Sequence, residues 1–221
     1  MKLIGITMRR DNDNKWQEYR DSISEDWIKY SATNLKDYKF VPIPNIPDNV
    51  QKLASYMKLE GLVLSNGNDW GSCDERDKTE INLINWCREF KKPIIGICRG
   101  FQVLNKYFGG SLTKDLFKIS EESHAGSIHK IKIIDKKILP RNTKNEFQVN
   151  SFHNQGITTS DLAKDLIAFA KSENIIEGFY HKTESIVGIQ WHPERKSFEK
   201  SFDINLFRIL FEKNIHSSFN S

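Results

Sequence analysis

The chain alternates between short apolar runs and longer stretches in which apolar residues recur every three or four positions. The short runs predict buried strands, and the recurring spacing predicts amphipathic helices. In the first half of the chain the predicted strands are 2–7, 38–43, 61–64 and 94–97. The predicted helices are 22–34, 48–58, 76–90 and the stretch that follows Cys98. This order of strands and helices predicts a parallel sheet with helices on both faces.

The second half has a different pattern, because short strands separated by tight turns replace the alternation with helices. These strands are predicted at 129–134, 147–150, 166–170, 175–180 and 186–190, with a last helix at 203–211. Closely spaced short strands favour an antiparallel section. We therefore expect an α/β three-layer sandwich with a central, mostly parallel sheet plus an antiparallel section, in a single domain over residues 1–221. Two polar stretches, 8–21 and 112–126, are predicted to be loops.

Composition narrows the class of protein. Hydrophobic residues make up 38% of the chain and charged residues 28%, which suits a soluble globular domain. The net charge of +4 is spread along the chain, so we expect no nucleic-acid partner. The N-terminal apolar run is too short for a signal peptide, and no segment approaches the ~20 apolar residues of a membrane span. We therefore expect a cytoplasmic protein without a membrane partner.

The cysteine pattern favours free thiols. Cys73, Cys87 and Cys98 are odd in number and irregular in spacing, which argues against a disulfide framework. None of them forms a C-x-x-C pair, so a structural zinc site is not expected. In a reducing compartment Cys98 would be available as a thiol.

Cys98 stands between two glycines where a predicted strand meets a predicted helix. The segment 96–100 has the Gly-x-nucleophile-x-Gly form of a nucleophile elbow, in which the glycines let strand and helix approach closely. A helix N-terminus also favours the thiolate form of a cysteine. However, a lone cysteine beside Ile and Val is ordinarily a core residue, so the nucleophile hypothesis needs a base elsewhere in the chain.

His192 is the base that this hypothesis needs. It ends a predicted strand and is followed by Pro193, which turns the chain out of the strand, and by Glu194. Positions 192 and 194 of an extended chain point to the same side, so Glu194 can accept one ring N–H and fix the imidazole. His-Pro-Glu alone is by default a surface turn, but with the elbow it predicts a Cys–His–Glu triad.

Two loops at predicted strand ends carry polar residues where α/β sheets bind ligands. Arg9 and Arg10 follow the first strand and either face an anionic substrate or are simply solvated. Asn66 and Gly67 follow the third strand. They either offer backbone N–H groups to an oxyanion or form an ordinary turn. His153, which follows another strand end, is predicted to face a pocket rather than the core.

These residues resemble the class I glutamine amidotransferase-like family, whose elbow is Gly-x-Cys-x-Gly-x-Gln and whose base lies in a His-Pro-Glu segment. Both motifs occur here, at 96–102 and 192–194, and the resemblance covers nearly the whole chain. Within the family the chain is similar to the γ-glutamyl hydrolase branch, because of its Cys-Arg-Gly elbow and the segment 149–155. The resemblance implies a flavodoxin-like sheet.

The resemblance also implies three groups of site residues. The implied catalytic residues are Cys98 as nucleophile, His192 as base and Glu194 as its orienter. The implied oxyanion donors are the backbone N–H of Arg99 and that of Asn66 or Gly67. The implied substrate-binding residues are Gln102, Ser151 and His153. The loop after the third strand is usually Gly-Gly-rich in the family, and Ser65–Asp69 departs from this, which leaves the second oxyanion donor open.

The implied reaction is hydrolysis of a γ-glutamyl amide bond through a thioester, releasing L-glutamate without a metal or cofactor. The size of the chain and its loop at 68–70 point further to γ-glutamyl-CDP-amidate, a substrate of capsule phosphoramidate biosynthesis, whose diphosphate Arg9 and Arg10 would suit. Two alternatives stay open: a glutaminase subunit that passes ammonia to a synthase chain, and a γ-glutamyl-γ-aminobutyrate hydrolase. A binding protein with a degenerate site is disfavoured, because the triad residues are intact. The expected partner is a small molecule, and a homodimer is allowed.

Overall fold

The chain is built around one large mixed sheet, with a two-stranded hairpin beside it. A computed structural model describes residues 1–116, 125–140, 142–212 and 215. Its strands are β1 (Lys2–Thr7), β2 (Arg9–Asp13), β3 (Glu18–Ser22), β4 (Tyr38–Ile43), β5 (Gly61–Leu64), β6 (Ile94–Ile97), β7 (Ala125–Ile133), β8 (Glu146–Phe152), β9 (Ile157–Thr158), β10 (Leu166–Ser172), β11 (Ile175–His181) and β12 (Ile186–Ile189). Its helices are α1 (Glu25–Asn34), α2 (Val50–Tyr56), α3 (Asp74–Glu89), α4 (Arg99–Tyr107) and α5 (Lys200–Glu212).

The large sheet has a parallel part and an antiparallel part. Its strand order is β4-β1-β5-β6-β12-β11-β10-β7-β8, with β9 beside β11. The first five strands in this order run parallel. Counted along the chain they follow the order 2-1-3-4-5, which is the flavodoxin-like arrangement. From β12 onward neighbouring strands pair antiparallel, so the predicted α/β fold with an added antiparallel section is confirmed.

Apolar cores cover both faces of the sheet, which makes three layers. On one face α1 and α5 pack together, and the rings of Tyr30 and Phe207 lie 5.8 Å apart. On the other face α2, α3 and α4 bury apolar residues such as Ala54, Leu83 and Leu104. All residues of β5 and β6 are buried, as expected for strands that are covered on both sides. Among the helices that the structure describes, none is long and apolar enough to cross a bilayer.

The predicted strands of the parallel part coincide with β1, β4, β5 and β6. The helix predicted at 22–34 begins later, at Glu25, because Ser24 caps it. The Ser24 side chain accepts a hydrogen bond from the Asp26 N–H at 3.2 Å, which satisfies one free donor of the first turn. Capping chemistry therefore fixes the boundary that apolar periodicity left uncertain.

The prediction of a loop at 8–21 is wrong, because β2 and β3 form a hairpin there. The two strands pair antiparallel from Arg9 opposite Ser22 to Asp13 opposite Glu18. Polar pairs join them: the Ser22 hydroxyl donates to Asp11, and Arg20 lies 3.1 Å from Asp13. Because the strands carry polar residues on both faces, they lack the apolar alternation by which strands are located in a sequence.

The loop predicted at 112–126 lies partly outside the described residues. Its first part makes a short bridge, in which the Thr113 N–H donates to the Gly156 carbonyl at 2.9 Å. Its last residues belong to β7, which begins at Ala125 rather than at the predicted 129. The two-residue strand β9 was not predicted, since two residues are too few to show a period.

Candidate active site

Cys98 lies at the sharp turn between β6 and α4. Its backbone angles are φ 53° and ψ −100°, a left-handed conformation that a residue with a side chain rarely adopts. The flanking glycines have the predicted reason: a Cβ on Gly96 would lie 2.5 Å from the backbone of Gly100, and one on Gly100 would collide with the Leu64 carbonyl. The turn therefore holds the Cys98 side chain at the N-terminal end of α4.

His192 reaches Cys98 because β12 and β6 are parallel neighbours. The Cys98 N–H donates to the Ile189 carbonyl at 2.9 Å, which places the end of β12 beside the elbow. His192 Nδ1 lies 2.8 Å from Glu194 Oε1, so the carboxylate accepts the Nδ1 proton and leaves Nε2 for Cys98. The structure thus brings Cys98, His192 and Glu194 together in the arrangement that the sequence predicted.

The pKa of His192 is raised to about 10. Burial acts to lower this pKa, but the neighbouring Cys98 sulfur and the Glu194 carboxylate favour the imidazolium and outweigh burial. An imidazolium beside Cys98 in turn favours the thiolate of the cysteine. The arrangement can therefore hold a thiolate–imidazolium pair of the kind that activates a cysteine nucleophile.

Asn150 fixes the backbone of His192, a contact that sequence reasoning missed. Its side chain accepts the His192 N–H at 2.8 Å and donates to the His192 carbonyl at 2.8 Å. Asn150 lies on β8, at the far edge of the sheet in strand order. In the sequence the segment Val149-Asn150-Ser151 is distinguished only by its likeness to the family, and no periodicity indicates a contact with residue 192.

The predicted oxyanion residues meet at the same end of the sheet. Gly67 follows β5, has a φ of 102°, and lines the cavity above Cys98. The Asn66 side chain lies 3.2 Å from His192 Nδ1 and accepts from the Trp27 indole N–H at 3.2 Å. Arg99 is the first residue of α4, where backbone N–H groups have no partner within the helix. These positions suit two backbone donors on either side of a developing oxyanion.

A cavity of about 470 Å³ opens above the elbow and collects most of the predicted site residues. The predicted residues that line it are Arg9, Asn66, Gly67, Cys98, Arg99, Gln102, His153 and His192. Residues that line it without having been predicted include Lys114, Phe152, Gln155 and Arg195. A pocket of this size with convergent polar groups is typical of a small-molecule site.

Arg10 and Ser151 were predicted to bind substrate, but neither is among the described residues that line this cavity. The Arg10 guanidinium lies 2.8 Å from Glu75 and stacks over the Tyr19 ring at 4.4 Å. Ser151 is fully buried on β8, and its neighbour Phe152 faces the cavity instead. Successive strand residues point to opposite faces, which explains why only one of the two can reach the site.

Gln102 and His153 are held by one carbonyl at the cavity floor. The Gln102 side-chain amide donates to the Gln155 carbonyl at 3.0 Å, and His153 Nδ1 lies 3.0 Å from the same oxygen. Behind them the fully buried Glu177 lies 3.8 Å from His153 Nε2 and 3.3 Å from His129 Nε2. Glu177 and His129 were not predicted to be near the site, because each reads as an ordinary strand residue.

A sequence profile of the Peptidase C26 family matches residues 2–194, a region that includes both the elbow and the His192–Glu194 segment. The chain belongs to the Peptidase C26 family. This confirms the membership that the motifs predicted, and it makes the chain an enzyme of the hydrolase or glutamine amidotransferase class.

Named relatives of this C26 chain include both a hydrolase and a part of an amidotransferase. The chain is 33% identical over 204 residues to the gamma-glutamyl-CDP-amidate hydrolase of Campylobacter jejuni, covering 88% of this chain and 91% of that protein. It is 27% identical over 171 residues to the glutamine-hydrolyzing subunit of the GMP synthase of Methanococcus aeolicus, covering 76% and 82% of the two chains.

A solved structure supports the fold of the C26 chain. The glutamine amidotransferase of Thermotoga maritima superposes with a TM-score of 0.64, covering 96% of this chain and 89% of that one. The two sequences are 18% identical, so this likeness concerns the fold alone.

Proposed function

We propose that the protein hydrolyses a γ-glutamyl amide bond, with Cys98 as nucleophile, His192 as acid and base, and Glu194 as the group that orients His192. The observation that carries the proposal is the Cys98–His192–Glu194 arrangement at an elbow, in a chain of the Peptidase C26 family. The arrangement is that of a nucleophile, a base and a third group that fixes the base.

In the first half-reaction the Cys98 thiolate attacks the γ-carbonyl carbon of the substrate. The carbonyl oxygen becomes an oxyanion, which the backbone N–H of Arg99 and one N–H of the Asn66–Gly67 segment stabilise. The tetrahedral intermediate collapses as the C–N bond breaks, and His192 gives its proton to the leaving nitrogen. The products of this step are the free amine or amidate and a γ-glutamyl thioester on Cys98.

In the second half-reaction water replaces the leaving group. Neutral His192 takes a proton from the water, whose oxygen attacks the thioester carbonyl. The C–S bond breaks, L-glutamate leaves, and the Cys98 thiolate and His192 imidazolium are restored. Gln102 and His153, at the cavity floor, are placed to hold the glutamate end of the substrate during both steps.

The leaving group that we propose is anionic, and the C. jejuni relative suggests γ-glutamyl-CDP-amidate, with a role in capsule phosphoramidate biosynthesis. Three cationic side chains line the cavity: Arg9, Lys114 and Arg195. Arginine and lysine are suited to phosphate oxygens. Arg195 also stacks over the Phe152 ring at 4.2 Å, and Phe152 is 45% exposed, so this pair offers a flat surface at the cavity for a nucleobase.

A glutaminase subunit is the second candidate, because the glutamine-hydrolyzing subunit of the M. aeolicus GMP synthase is also a relative. Such a subunit would use the same triad and pass ammonia to a second chain. A γ-glutamyl-γ-aminobutyrate hydrolase is a further alternative, in which the leaving group would be a small amine. The three candidates differ in the compound that the purified chain cleaves by itself.

Incubating the purified chain alone with γ-glutamyl-CDP-amidate, glutamine and γ-glutamyl-γ-aminobutyrate tests this proposal. We expect release of glutamate from the nucleotide-linked compound, and a mass increase of one γ-glutamyl group on Cys98 after rapid acid quenching. In Cys98→Ala we expect a loss of turnover of at least about 10⁴-fold, because the attacking sulfur is gone. Cys73→Ser, which changes a cysteine outside the cavity lining, is the matched control and should keep wild-type turnover. Activity near wild type in Cys98→Ala would refute the mechanism.

A further inference from the structure

Beneath the elbow lies a buried cluster of four charged side chains: Arg76, Asp77, Glu80 and Arg99. We propose that Arg76 is a positioning residue for the oxyanion hole, and that it sets the direction of the backbone N–H groups of Asn66 and Gly67. The inference rests on the proposed function, because it assigns the means by which one half of that oxyanion hole is held in place.

Arg76 binds the loop after β5 through several donors at once. Its Nη2 donates to the Ser65 carbonyl at 3.1 Å and to the Asn66 carbonyl at 2.9 Å. Its Nη1 donates to Asn68 Oδ1 at 3.0 Å. The side chain is completely buried, so water does not compete for these bonds. A guanidinium is suited to this task, because its donors form a rigid planar fork.

The bonds to the two carbonyls decide where the next N–H groups point. In a trans peptide the C=O and the following N–H lie on opposite sides, and none of the described peptide bonds is cis. With the Ser65 and Asn66 carbonyls turned toward Arg76, the N–H groups of Asn66 and Gly67 point the other way. Neither of these N–H groups donates to another described residue, and both residues line the cavity.

Glu80 connects this loop to the elbow. Its Oε1 accepts from Arg76 Nε at 3.1 Å and from the Thr7 hydroxyl at 2.8 Å, while its Oε2 pairs with Arg99. Burial acts to raise the pKa of Glu80, but Arg99 and Arg76 outweigh it and lower the pKa, so the carboxylate stays ionised. The Thr7 hydroxyl also accepts the Ser65 N–H at 3.0 Å. The loop and the first residue of α4 are therefore fixed to one common carboxylate.

Arg76→Lys tests the inference while keeping the charge. Lysine presents one ammonium instead of a fork and cannot span the Ser65, Asn66 and Asn68 acceptors together. Removing one oxyanion donor costs roughly 10²–10³ in kcat, so a misdirected loop should cost at least about tenfold. We expect this fall in kcat on a chromogenic γ-glutamyl anilide, with KM within about threefold of wild type.

Two alkylating reagents separate positioning from general damage to the elbow. A glutamine-like chloroketone forms an oxyanion as Cys98 attacks it, whereas iodoacetamide forms none. In Arg76→Lys we expect the chloroketone rate to fall at least about tenfold and the iodoacetamide rate to stay within about twofold of wild type. Arg88→Lys is the matched control on the same helix, since Arg88 pairs with Glu184 away from the cavity. It should change neither rate.

A second variant covers the case in which Arg76→Lys does not fold. Thr7→Val keeps the side-chain shape and removes only the hydroxyl that joins Glu80 to the Ser65 N–H, so we expect the same pattern at a smaller size. Equal falls in both alkylation rates, or no fall in either, in whichever variant folds would overturn the inference. Absence of turnover in the wild type would contradict the proposed function, while the ratio of the two alkylation rates would still decide the role of Arg76.

Discussion

At the scale of single residues, His192 is the group whose protonation the surroundings change most usefully. Its ordinary pKa of 6.5 rises to about 10, since the Cys98 sulfur and the Glu194 carboxylate outweigh burial. A proton that binds more tightly in the folded state stabilises that state. This contribution is complete below pH 6.5 and is lost as the pH rises toward 10.

Glu194→Gln should weaken this coupling, because the neutral amide no longer favours the imidazolium. We expect the free energy of unfolding of the wild type to fall more steeply between pH 6.5 and 10 than that of Glu194→Gln. Urea unfolding at several pH values in this window measures the two slopes.

Glu146→Gln makes the same chemical change at an exposed carboxylate near Lys130. This control should keep the wild-type slope. Parallel slopes in wild type and Glu194→Gln would contradict the assignment of the raised pKa to Glu194.

At the scale of elements, the close approach of α4 to β5 determines the elbow. Gly100 is the point of contact, since a Cβ there would collide with the Leu64 carbonyl. Gly100→Ala places a methyl group against backbone, which cannot move aside as a flexible side chain can. We expect a loss of about 3 kcal/mol or more in the free energy of unfolding, at or above the upper end for overpacked positions.

Gly109→Ala is the matched control for this substitution. Gly109 has a φ of 88°, and a methyl group added to it would meet no atom within 4 Å, so it tests backbone strain without a collision. Its expected cost is about 1 kcal/mol. Urea unfolding of both variants checks the prediction, and equal costs would mean that the Leu64 contact contributes nothing of its own.

The elements also show which features could be predicted from the sequence. Strands with apolar runs, such as β5 and β6, could be predicted at their observed bounds because burial on both faces leaves a continuous apolar signal. The β2–β3 hairpin was missed because polar cross-strand pairs leave no such signal. Arg76 and Glu80 could not be recognised either, since charged residues on a helix ordinarily indicate an exposed face, whereas both are fully buried.

At the scale of the whole molecule, the site collects groups from distant parts of the chain. The nucleophile and base were predictable because each has a motif that marks a strand end. The grouping of Arg9, Lys114 and Arg195 was not predictable, since three segments far apart in sequence meet only in the folded sheet. The resemblance to the family supplied Gln102 and His153, which line the cavity, but also Ser151, which does not.

The cationic side of the cavity should control specificity rather than chemistry. Arg9→Gln removes one charge at the cavity, so we expect KM for γ-glutamyl-CDP-amidate to rise about tenfold. The KM of an uncharged γ-glutamyl anilide should stay within about twofold. Steady-state kinetics with both substrates measures the difference.

Arg20→Gln removes the same charge from the same hairpin, at an exposed residue that pairs with Glu18 and Asp13. This control should leave both KM values unchanged. Equal effects of Arg9→Gln on the two substrates would exclude recognition of an anionic leaving group by Arg9.

The contact between Asn150 and the backbone of His192 has a consequence for how the enzyme loses activity. Asn150 belongs to an edge strand of the antiparallel part, whereas His192 directly follows a strand of the parallel part. Edge strands detach more readily than central ones, because only one neighbour holds them. Turnover should therefore decline under mild denaturant before the central strands open, since the imidazole would drift from the sulfur as soon as that outer border loosened.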